Sequence, residues 1–497
     1  MLRTIRLTIA ILFFILITLL FLDFTGTLHA WFGWLAKIQF LPAVLALNVG
    51  VVLLLVALTL VCGRVYCSVI CPLGVFQDIV SWFSAKRKKN RFRYSPALKG
   101  LRYGVLGVFV LAIIAGLNSF VVLLAPYSAY GRIVSSFLAP LYQWGNNGLA
   151  YLAERADSYA FYQTEVWMKS LPTLIIAAVT LVVLIVLAWR GGRTYCNTIC
   201  PVGTVLGFLS KFSLLKPVID TAKCNGCGLC ARNCKASCIN AKAHEIDYSR
   251  CVACMDCIGK CKQGAITYTR RKPAAATMQE AGAGAEKVNS ARRAFFSTSA
   301  LLATTAVLKA QEKVVDGGLA TIEDKKIPNR ATAITPPGSL SARNLASHCT
   351  ACQLCVSVCP NQVLRPSSDL MKLMQPEVSY ERGYCRPECT KCSEVCPAGA
   401  IQPITKAEKS SIQVGHAVWI KENCICITDK MECGNCERHC PVGAIQMVSS
   451  DPKDEKSIKI PVVNDERCIG CGACENLCPS RPFSAIYVEG HGVHRTI

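Results

Sequence analysis

Four long apolar stretches dominate the amino-terminal part of the chain. They span residues 7–22, 40–61, 103–124 and 171–189. Each approaches or meets the roughly 20 residues that a helix needs to cross the hydrocarbon core of a bilayer. The pattern therefore predicts four membrane-spanning helices. Buried helices of a soluble protein are the alternative, and the complete lack of charge within each run argues against them.

The segment between the second and third stretches carries a dense basic cluster without an acidic neighbour. Its members are Lys86, Arg87, Lys88, Lys89, Arg91, Arg93, Lys99 and Arg102. Because positive loops of membrane proteins stay in the cytoplasm, residues 63–102, the amino terminus and the chain from residue 190 are predicted to be cytoplasmic. Residues 23–39 and 126–170 then face outward. The net charge is +22, but no aromatic-plus-basic binding module accompanies it, so nucleic acid is not an expected partner.

An internal repeat follows the second and fourth stretches. "GRVYCSVICPLG" (63–74) and "GRTYCNTICPVG" (192–203) each begin directly after an apolar run. This repeat predicts two helix pairs packed around a pseudo-twofold axis. The axis would bring together Cys67, Cys71, Cys196 and Cys200. Four such thiols could hold a cluster or metal or stay a redox-active set, and the alternative is that Cys-x-x-x-Cys-Pro only shapes the helix exit.

Composition adds a second kind of domain to this picture. The 497 residues are enough for two or three folding units, and 52% apolar residues with a mean hydropathy of +0.35 place only part of the chain in lipid. The chain also has 31 cysteines. A disulfide scaffold would be short, whereas these cysteines fall in tight groups, which favours cofactor binding.

Two groups near residue 240 have the spacing of a two-cluster ferredoxin. "CNGCGLCARNC" supplies Cys224, Cys227, Cys230 and Cys234, and "CVACMDCIGKC" supplies Cys251, Cys254, Cys257 and Cys261. In Cys-x2-Cys-x2-Cys-x3-Cys, three thiolates bind one [4Fe–4S] cluster and the fourth binds its neighbour. Cys261 is thus predicted to complete the first cluster and Cys234 the second. Zinc is the alternative metal.

Four further groups lie in the carboxyl-terminal part. Their predicted ligands are Cys349, Cys352, Cys355 and Cys359; Cys385, Cys389, Cys392 and Cys396; Cys424, Cys433, Cys436 and Cys440; and Cys468, Cys471, Cys474 and Cys478. In the third group, Cys426 is the alternative to Cys424. Cys62, Cys238 and one of that pair are left over. Six [4Fe–4S] clusters without a nucleotide fingerprint or substrate motif predict electron transfer.

An export-like segment separates the two sets of ferredoxin groups. "SARRAFFSTSALLATTAVLKA" (290–310) has an arginine pair and a mildly apolar run, which is typical of a twin-arginine signal. Basic residues precede it and a mixed set follows it, so the part beyond is predicted to lie outside. We expect an uncleaved fifth anchor helix. A soluble helix joining two cytoplasmic ferredoxin units is the alternative, because the run is short.

Together these motifs resemble the Nap-type quinol dehydrogenases associated with nitrate reductase. The arginine pair, "TPPGSLSARNLASHCTACQLCVSVCP" and "ENCICITDKMECGNCERHCP" resemble the periplasmic four-cluster subunit, and the amino half resembles its membrane partner. The resemblance implies a fusion of two chains, favours Cys424, and implies that the first outer group pairs with the last and the middle two with each other. The second outer group has a tighter spacing than the family usually shows.

The predicted architecture is a mixed one. A polytopic α-helical membrane domain of four helices plus a fifth carries two ferredoxin-like α+β iron–sulfur domains. The expected segments are 1–215, the membrane domain; 216–272, the cytoplasmic two-cluster domain; 273–291, a linker; 292–310, the signal or anchor helix; and 311–497, the periplasmic four-cluster domain.

The predicted function is that of a quinol dehydrogenase component in the bacterial cytoplasmic (inner) membrane. Its expected partners are the lipid bilayer, the quinone pool, and a periplasmic reductase or c-type cytochrome. His29, Lys37, Asp78 and Glu165 border the membrane and are weak candidates for a quinone site. The alternative function is metal or thiol reduction by the repeat cysteines during maturation of another metalloenzyme, and an iron–sulfur sensor is a third class.

Overall fold

The computed structural model describes residues 2–23, 25–87, 92–270, 315–316, 320–321, 323–454 and 457–497. The predicted linker at 273–291 and the predicted anchor at 292–310 lie outside the described residues. The described part contains an amino-terminal helical domain and two units of short helices and two-stranded sheets. This mixed architecture agrees with the predicted fold class.

In the residues that the structure describes, the amino-terminal domain consists of helices joined by loops, without strands. Its α-helices are α1 (Leu2–Leu22), α2 (Thr27–Phe32), α3 (Trp34–Lys37), α4 (Phe40–Leu45), α5 (Val49–Cys62), α6 (Pro72–Arg87), α7 (Lys99–Ile114), α8 (Asn118–Leu124), α9 (Pro126–Ile133), α10 (Ala139–Glu154), α11 (Leu171–Gly191), α12 (Thr194–Thr198) and α13 (Pro201–Leu209). Two π-helical turns, Tyr66–Ile70 and Val134–Leu138, and a 3₁₀ turn, Ser210–Phe212, complete it.

Within the described residues, fewer helices could cross a membrane than the four predicted. Two, α1 and α11, are long and apolar enough, at 21 residues each. A third exists if α8 and the continuous α9–α10 segment, which meet at a bend of 75°, are counted as one span. The first and last predicted stretches are therefore single helices, and the prediction of four uninterrupted spans is wrong.

The second and third apolar stretches are broken by local backbone signals. In the second, α4 ends before Leu47, and Asn48 caps α5 by accepting a hydrogen bond from the Val51 N–H at 3.3 Å. In the third, α7 ends before Gly116, whose φ of 72° lies in the left-handed region. Asparagine caps and left-handed glycines end helices regardless of how apolar the surrounding run is. Hydropathy alone did not reveal these ends.

The first ferredoxin-like unit follows α13. It contains β1 (Leu215–Ile219), α14 (Leu229–Arg232), β2 (Ile239–Asn240), β3 (Glu245–Ile246), α15 (Asp256–Lys260) and β4 (Ile266–Arg270). β1 and β4 pair antiparallel from Leu215 opposite Arg270 to Ile219 opposite Ile266, and β2 pairs with β3. The outer strands of the unit thus close around two cysteine loops. We call it the two-cluster unit.

The second unit fills the carboxyl-terminal part, and we call it the four-cluster unit. The short pair β5 (Val315–Asp316) and β6 (Ala320–Thr321) precedes it. Its elements are α16 (Ala342–His348), α17 (Leu354–Val358), β7 (Leu364–Pro366), β8 (Pro376–Val378), α18 (Lys391–Glu394), α19 (Lys406–Ser411), β9 (Ile412–Trp419), the 3₁₀ turn Lys421–Asn423, α20 (Ile425–Thr428), α21 (Asn435–Arg438), β10 (Ile445–Ser449), β11 (Lys459–Val463), α22 (Ala473–Leu477) and β12 (Ile486–Thr496). β7 pairs with β8, β10 with β11, and β9 with β12, all antiparallel.

The two ferredoxin-like units contact opposite ends of α1. At its first turn, Arg3 forms a 2.8 Å ion pair with Asp256 of the two-cluster unit. Beyond its last turn, the Thr25 carbonyl accepts a hydrogen bond from Lys391 of the four-cluster unit at 2.7 Å, and α1 also contacts α17. A helix of 21 residues is roughly 30 Å long, which is the thickness of a hydrocarbon core.

Candidate iron–sulfur centres

The first cysteine-lined cavity lies in the two-cluster unit. Cys224, Cys227 and Cys230 line it together with Cys261 from the other loop. Gly226 and Gly228 have φ values of 70° and 69°, which lets the loop turn between consecutive cysteines. The sequence predicted this quartet. Cys227 is exposed, so this cavity is close to solvent.

The second cavity lies in the same unit and faces the helical domain. Cys251, Cys254 and Cys257 line it with Cys234, as predicted, but Cys238 lines it as well. The Cys234 and Cys238 sulfurs are 3.5 Å apart. Cys238 had no predicted role from the sequence. The signal was its spacing, four residues after a ligand position.

In the four-cluster unit, the first two groups face each other. Cys359 of the first group lines a cavity with Cys385, Cys389 and Cys392 of the second. Conversely, Cys396 is an electrostatic neighbour of the first-group thiols of Cys349, Cys352 and Cys355. The family resemblance implied that the first group pairs with the last, and this is wrong. The β7–β8 hairpin lies between these two groups in the chain and folds them onto one core.

The third and fourth groups form the other pair, with the β10–β11 hairpin between them. Cys478 lines a cavity with Cys433, Cys436 and both Cys424 and Cys426. The Cys468 and Cys471 thiols have Cys440 as an electrostatic neighbour. Cys424, Cys426, Cys468, Cys474 and Cys478 belong to one buried cluster, separate from that of the first pair, and Cys433, Cys436 and Cys440 pack against it. Because Cys424 and Cys426 are both buried at the cavity, each remains a candidate ligand.

These cavities fit thiolate-bound clusters. Backbone N–H groups point at cysteine sulfurs in both units, for example from Ala265 to Cys261 at 3.3 Å and from Ala444 to Cys440 at 3.2 Å. Such hydrogen bonds stabilise negative charge on sulfur and tune cluster potentials. Among the described residues, no group of three or more Cys, His, Asp or Glu side chains is close enough to hold a single metal ion.

The four repeat cysteines lie together in the core of the helical domain, as the repeat predicts. Cys67 belongs to the π-helical turn and Cys71 precedes α6, whereas Cys196 belongs to α12 and Cys200 caps α13. All four are at most 5% exposed. Their thiols interact electrostatically with one another across the two repeats. We call this set the central thiols.

Two arginines of the repeat form the symmetric part of this centre. Arg64 donates to the Cys196 carbonyl at 3.2 Å, and Arg193 donates to the Cys67 carbonyl at 2.7 Å. Each guanidinium therefore crosses from its own repeat to the other, which is the relation a pseudo-twofold axis requires. Both side chains are completely buried. Both arginines are visible within the repeat, but the sequence predicted no role for either at the cysteines.

Glycine is required where each repeat turns into its second helix. A Cβ on Gly74 would lie 2.2 Å from the Cys67 carbonyl oxygen, and one on Gly203 would lie 2.2 Å from the Cys196 carbonyl oxygen. Non-bonded atoms cannot approach so closely. The two glycines thus permit the approach that the arginine hydrogen bonds complete.

The charges around the central thiols are unequal. Arg193 forms an ion pair with Asp78 at 2.8 Å, and Asp78 also pairs with Arg6 and Lys235. Burial alone would raise the pKa of Asp78, but these three cations hold it well below its usual range. None of the ion pairs among the described residues involves Arg64. Its charge therefore lacks a carboxylate partner.

Arg64 also donates to the Asn197 amide oxygen at 2.9 Å, and a cysteine sulfur lies near its charge as well. Arg64 Nη2 lies 3.7 Å from Cys67 Sγ, and Gln77 Nε2 donates to Cys196 Sγ at 3.2 Å. Burial raises the pKa of Cys71 and Cys200 far above the ordinary thiol range, so the free thiols would be neutral. A buried cation opposite neutral thiols is costly, whereas metal-bound thiolates would neutralise it. The residues present therefore fit a thiolate-bound cluster.

The central thiols lie between the two ferredoxin-like units. On one side, Arg64 also donates to the Ser249 carbonyl, two residues before Cys251, at 3.1 Å. On the other side, the buried Arg132 is an electrostatic neighbour of both Tyr195 and Cys352. Along the direction of α1, the cysteines of the two-cluster unit come first, the central thiols second and the cysteines of the four-cluster unit third.

The four candidate quinone residues have other surroundings. His29 contacts Asp23 at 3.1 Å, and Asp78 belongs to the buried ion network. Lys37 is exposed, and Glu165 forms a 3.1 Å ion pair with Arg382 of the four-cluster unit. Glu165 therefore joins the helical domain to the four-cluster unit.

The fold and its cysteine-lined cavities define a ferredoxin-type iron–sulfur protein with a membrane-associated helical domain. Comparison with known families agrees. Residues 44–90 and 171–219 match the family described as "4Fe-4S binding domain", and residues 423–481 match the "4Fe-4S dicluster domain". The first family matches once in each repeat, and the second contains the third and fourth groups of the four-cluster unit together.

The chain belongs to the ferredoxin-type protein family of the methylamine utilization protein MauM. It is 30% identical to MauM of Methylobacillus flagellatus over 32% of this chain and 70% of that protein. It is also 28% identical to the ferredoxin-type protein NapH of Haemophilus influenzae, over 46% of this chain and 70% of that protein. The ferredoxin-type protein NapF of Escherichia coli K12 is 28% identical over 32% of this chain and 89% of that protein. No solved structure was found to be similar.

Proposed function

We propose that this protein is a quinol dehydrogenase component that relays electrons across the bacterial cytoplasmic membrane to an outer reductase or c-type cytochrome. Iron–sulfur electron transfer is the activity that its family and its relatives support. Beyond this activity, we propose that the electrons cross the membrane, that a quinone is the substrate, and that the six cysteine quartets hold six [4Fe–4S] clusters. It also makes the chain a fusion of two polyferredoxin subunits.

One observation carries this proposal: the two ferredoxin-like units lie at opposite ends of a helix as long as a bilayer core is thick. Two clusters in the two-cluster unit would then be cytoplasmic and four in the four-cluster unit periplasmic. The described basic residues next to the two-cluster unit favour this orientation, because Arg102 of α7 donates a hydrogen bond to the Ser249 hydroxyl at 3.1 Å.

The central thiols supply a redox centre between the two sets. In residues 171–219, one of the segments matched by the 4Fe–4S binding family, the only cysteines are Cys196 and Cys200. In residues 44–90, the corresponding pair is Cys67 and Cys71, with Cys62 in addition. The unpaired buried charge of Arg64 favours an anionic occupant. A seventh cluster at this position is therefore part of the proposal.

The order of centres follows from the pairing. The exposed Cys227 gives a cytoplasmic donor access to the first cluster. In the four-cluster unit, Cys352 lies beside the helical domain, and the Cys385 N–H donates to the Cys471 carbonyl at 2.9 Å, which joins the first pair of clusters to the second. The cluster of Cys433, Cys436 and Cys478 would then be last and would serve the outer acceptor.

Iron content and EPR test the number of clusters. Six cubanes give about 24 iron atoms per chain, and a seventh cubane gives about 28. Replacing the four central thiols with serine should remove the difference and one EPR signal, while the other signals stay. The matched control is Cys62→Ser, which lies in the same family segment but outside the centre. Zinc, or almost no iron, in protein purified without oxygen would end the proposal.

Cysteine labelling tests the placement of the four-cluster unit. A single cysteine introduced at Ser457, which lies on the four-cluster unit, should react with an impermeant maleimide added to intact cells. A cysteine at Ala222 of the two-cluster unit, which is exposed, should react only after the membrane is opened. Protection at residue 457 in intact cells would place this unit in the cytoplasm and contradict the relay.

A further inference from the structure

A cavity of about 220 Å³ lies where the helical domain meets the four-cluster unit. Its walls come from the end of α1, the second π-helical turn, α10, the start of α11, and α17. Aromatic and aliphatic side chains form most of it, including Phe21, Trp144, Trp167 and Leu174. Because it lies at the ends of α1 and α11, it is at the depth of a membrane interface, where tryptophan is common.

Two polar side chains at this cavity have no hydrogen-bond partner. Gln353 Nε2 and Ser135 Oγ are both buried and unpaired, and both residues line the cavity. Gln353 is only 5% exposed. An unpaired buried donor costs about 1–3 kcal/mol, so such groups call for a partner that the protein alone does not provide. Lys169, which also lines the cavity, donates to the Val356 carbonyl at 3.2 Å and keeps further N–H groups.

The backbone at Gln353 is also unusual. It follows the second cysteine of its group, and the corresponding residues Gly228 and Gly472 have φ values of 69° and 78°. Gln353 has a φ of 66° at the same place, in a region where glycine is free of strain and a longer residue is not. Glycine would therefore serve the loop better. Met255 occupies the same position in its group, so the position tolerates residues other than glycine. Of Gly228, Met255, Gln353 and Gly472, only Gln353 presents a polar side chain to a cavity of this kind.

We propose that this cavity binds the ring of a membrane quinol or quinone. The inference rests on the proposed function and gives its quinone a place on the side of the four-cluster unit. Electrons from quinol then enter the relay at this unit, whereas electrons from a cytoplasmic donor enter at the two-cluster unit and cross through the central thiols. Gln353 and Ser135 hydrogen-bond the ring oxygens, and the apolar walls hold the ring and the first part of its tail. Quinol bound here loses two electrons and two protons and leaves as quinone. The electrons pass singly toward the thiolate site of Cys349, Cys352, Cys355 and Cys396, and the protons pass to water on the side of the four-cluster unit.

The cavity lies next to Cys352, a predicted cluster ligand, so a bound quinol would be close to an electron acceptor. Gln353 is the residue directly after Cys352, so a ring oxygen bound to its amide would be separated from that site by a single side chain. None of His29, Lys37, Asp78 and Glu165 lines this cavity. The quinone site is therefore built partly by the four-cluster unit, between the two cysteines of a ferredoxin loop.

Photolabelling and kinetics on the full-length protein in nanodiscs test the site. A photoreactive azido-quinone should label residues of the cavity walls, and a short-chain quinone should compete. Gln353→Gly and Ser135→Ala should each raise the apparent KM for a short-chain quinol about tenfold, with iron content and EPR spectra unchanged. Gln353→Gly should not lower thermal stability, since it relieves the backbone. The control is Gln402→Leu, which changes an exposed glutamine of the same unit.

Three outcomes are distinguishable. Labelling in the cavity together with the KM increase supports the inference. Labelling elsewhere, or wild-type KM values in both variants, overturns the site while the proposed function stands, provided that quinol still reduces the clusters. If neither labelling nor reduction by quinol occurs although dithionite reduces the clusters, the quinol dehydrogenase proposal fails and the site fails with it.

Discussion

Removing the positive charge of Arg64 should lower the reduction potential of the central redox centre. The guanidinium Nη2 is 3.7 Å from Cys67 Sγ, and the side chain has no ion-pair partner among the described residues. Reduction adds one negative charge to the centre, and a nearby cation stabilises it. The variant Arg64→Gln keeps a hydrogen-bonding amide but loses the charge.

The size of the effect follows from Coulomb's law. At 3.7 Å and an effective dielectric constant of about 20, two unit charges interact by roughly 4 kcal/mol. The added electron is shared over the whole cluster, so only about half of this interaction, about 2 kcal/mol, stabilises the reduced form relative to the oxidised form. For a one-electron couple this corresponds to a potential that is roughly 90 mV more negative.

Potentiometric EPR on purified wild-type and variant protein measures this shift. Arg64→Lys should retain most of the wild-type potential, because it keeps the charge. Arg190→Gln, which removes an exposed arginine at the end of α11, should change the potential little, because solvent screens its charge. An unchanged potential in Arg64→Gln, with the cluster signal retained, would refute the assignment of an anionic centre beside this arginine.

Three further predictions concern single side chains. Asp78→Asn should destabilise the protein by about 3–5 kcal/mol, because it leaves buried cations unpaired. The pKa of Asp78 is lowered on folding, so in thermal unfolding the whole stability difference between wild type and variant is present at pH 7. This difference shrinks as the pH falls below the ordinary aspartate pKa of 3.8. Cys234→Ser should lose one cubane, about four iron atoms, whereas Cys238→Ser should keep its iron; the reverse result would exchange their roles. Gly74→Ala should abolish the central EPR signal and lower yield, whereas Gly104→Ala, where a Cβ meets nothing within 4 Å, should not.

Spacing was enough to predict the cysteine quartets of the two-cluster unit. Three cysteines within seven residues form a loop around one cavity, and this local geometry does not depend on the rest of the fold. Which cysteine comes fourth at a cavity depends on which loop lies opposite. The sequence placed Cys261 beside Cys224, Cys227 and Cys230, where only one other group was nearby in the chain. The implied pairing was wrong for Cys359, where a short hairpin brought the adjacent group closer than the last one.

Hydropathy predicted α1 and α11 but not the breaks in the other apolar stretches. Asn48 starts a new helix through a capping hydrogen bond, and Gly116 follows the end of α7 with a left-handed backbone; an average over the run conceals both. The roles of Arg64 and Gln353 could not be predicted for a related reason. Each depends on a contact across the fold, although an arginine beside the repeat cysteines and a glutamine at a glycine position were visible signals.

Electron transfer through the reconstituted membrane tests the central claim most directly. Full-length protein is placed in liposomes that contain trapped c-type cytochrome, and an impermeant reductant is added outside. The cytochrome should become reduced with the wild-type protein and with Cys62→Ser. It should not be reduced above the protein-free rate when the four central thiols are replaced by serine. Equal rates with and without these thiols, in protein that retains its other clusters, would contradict a relay through the centre of the helical domain.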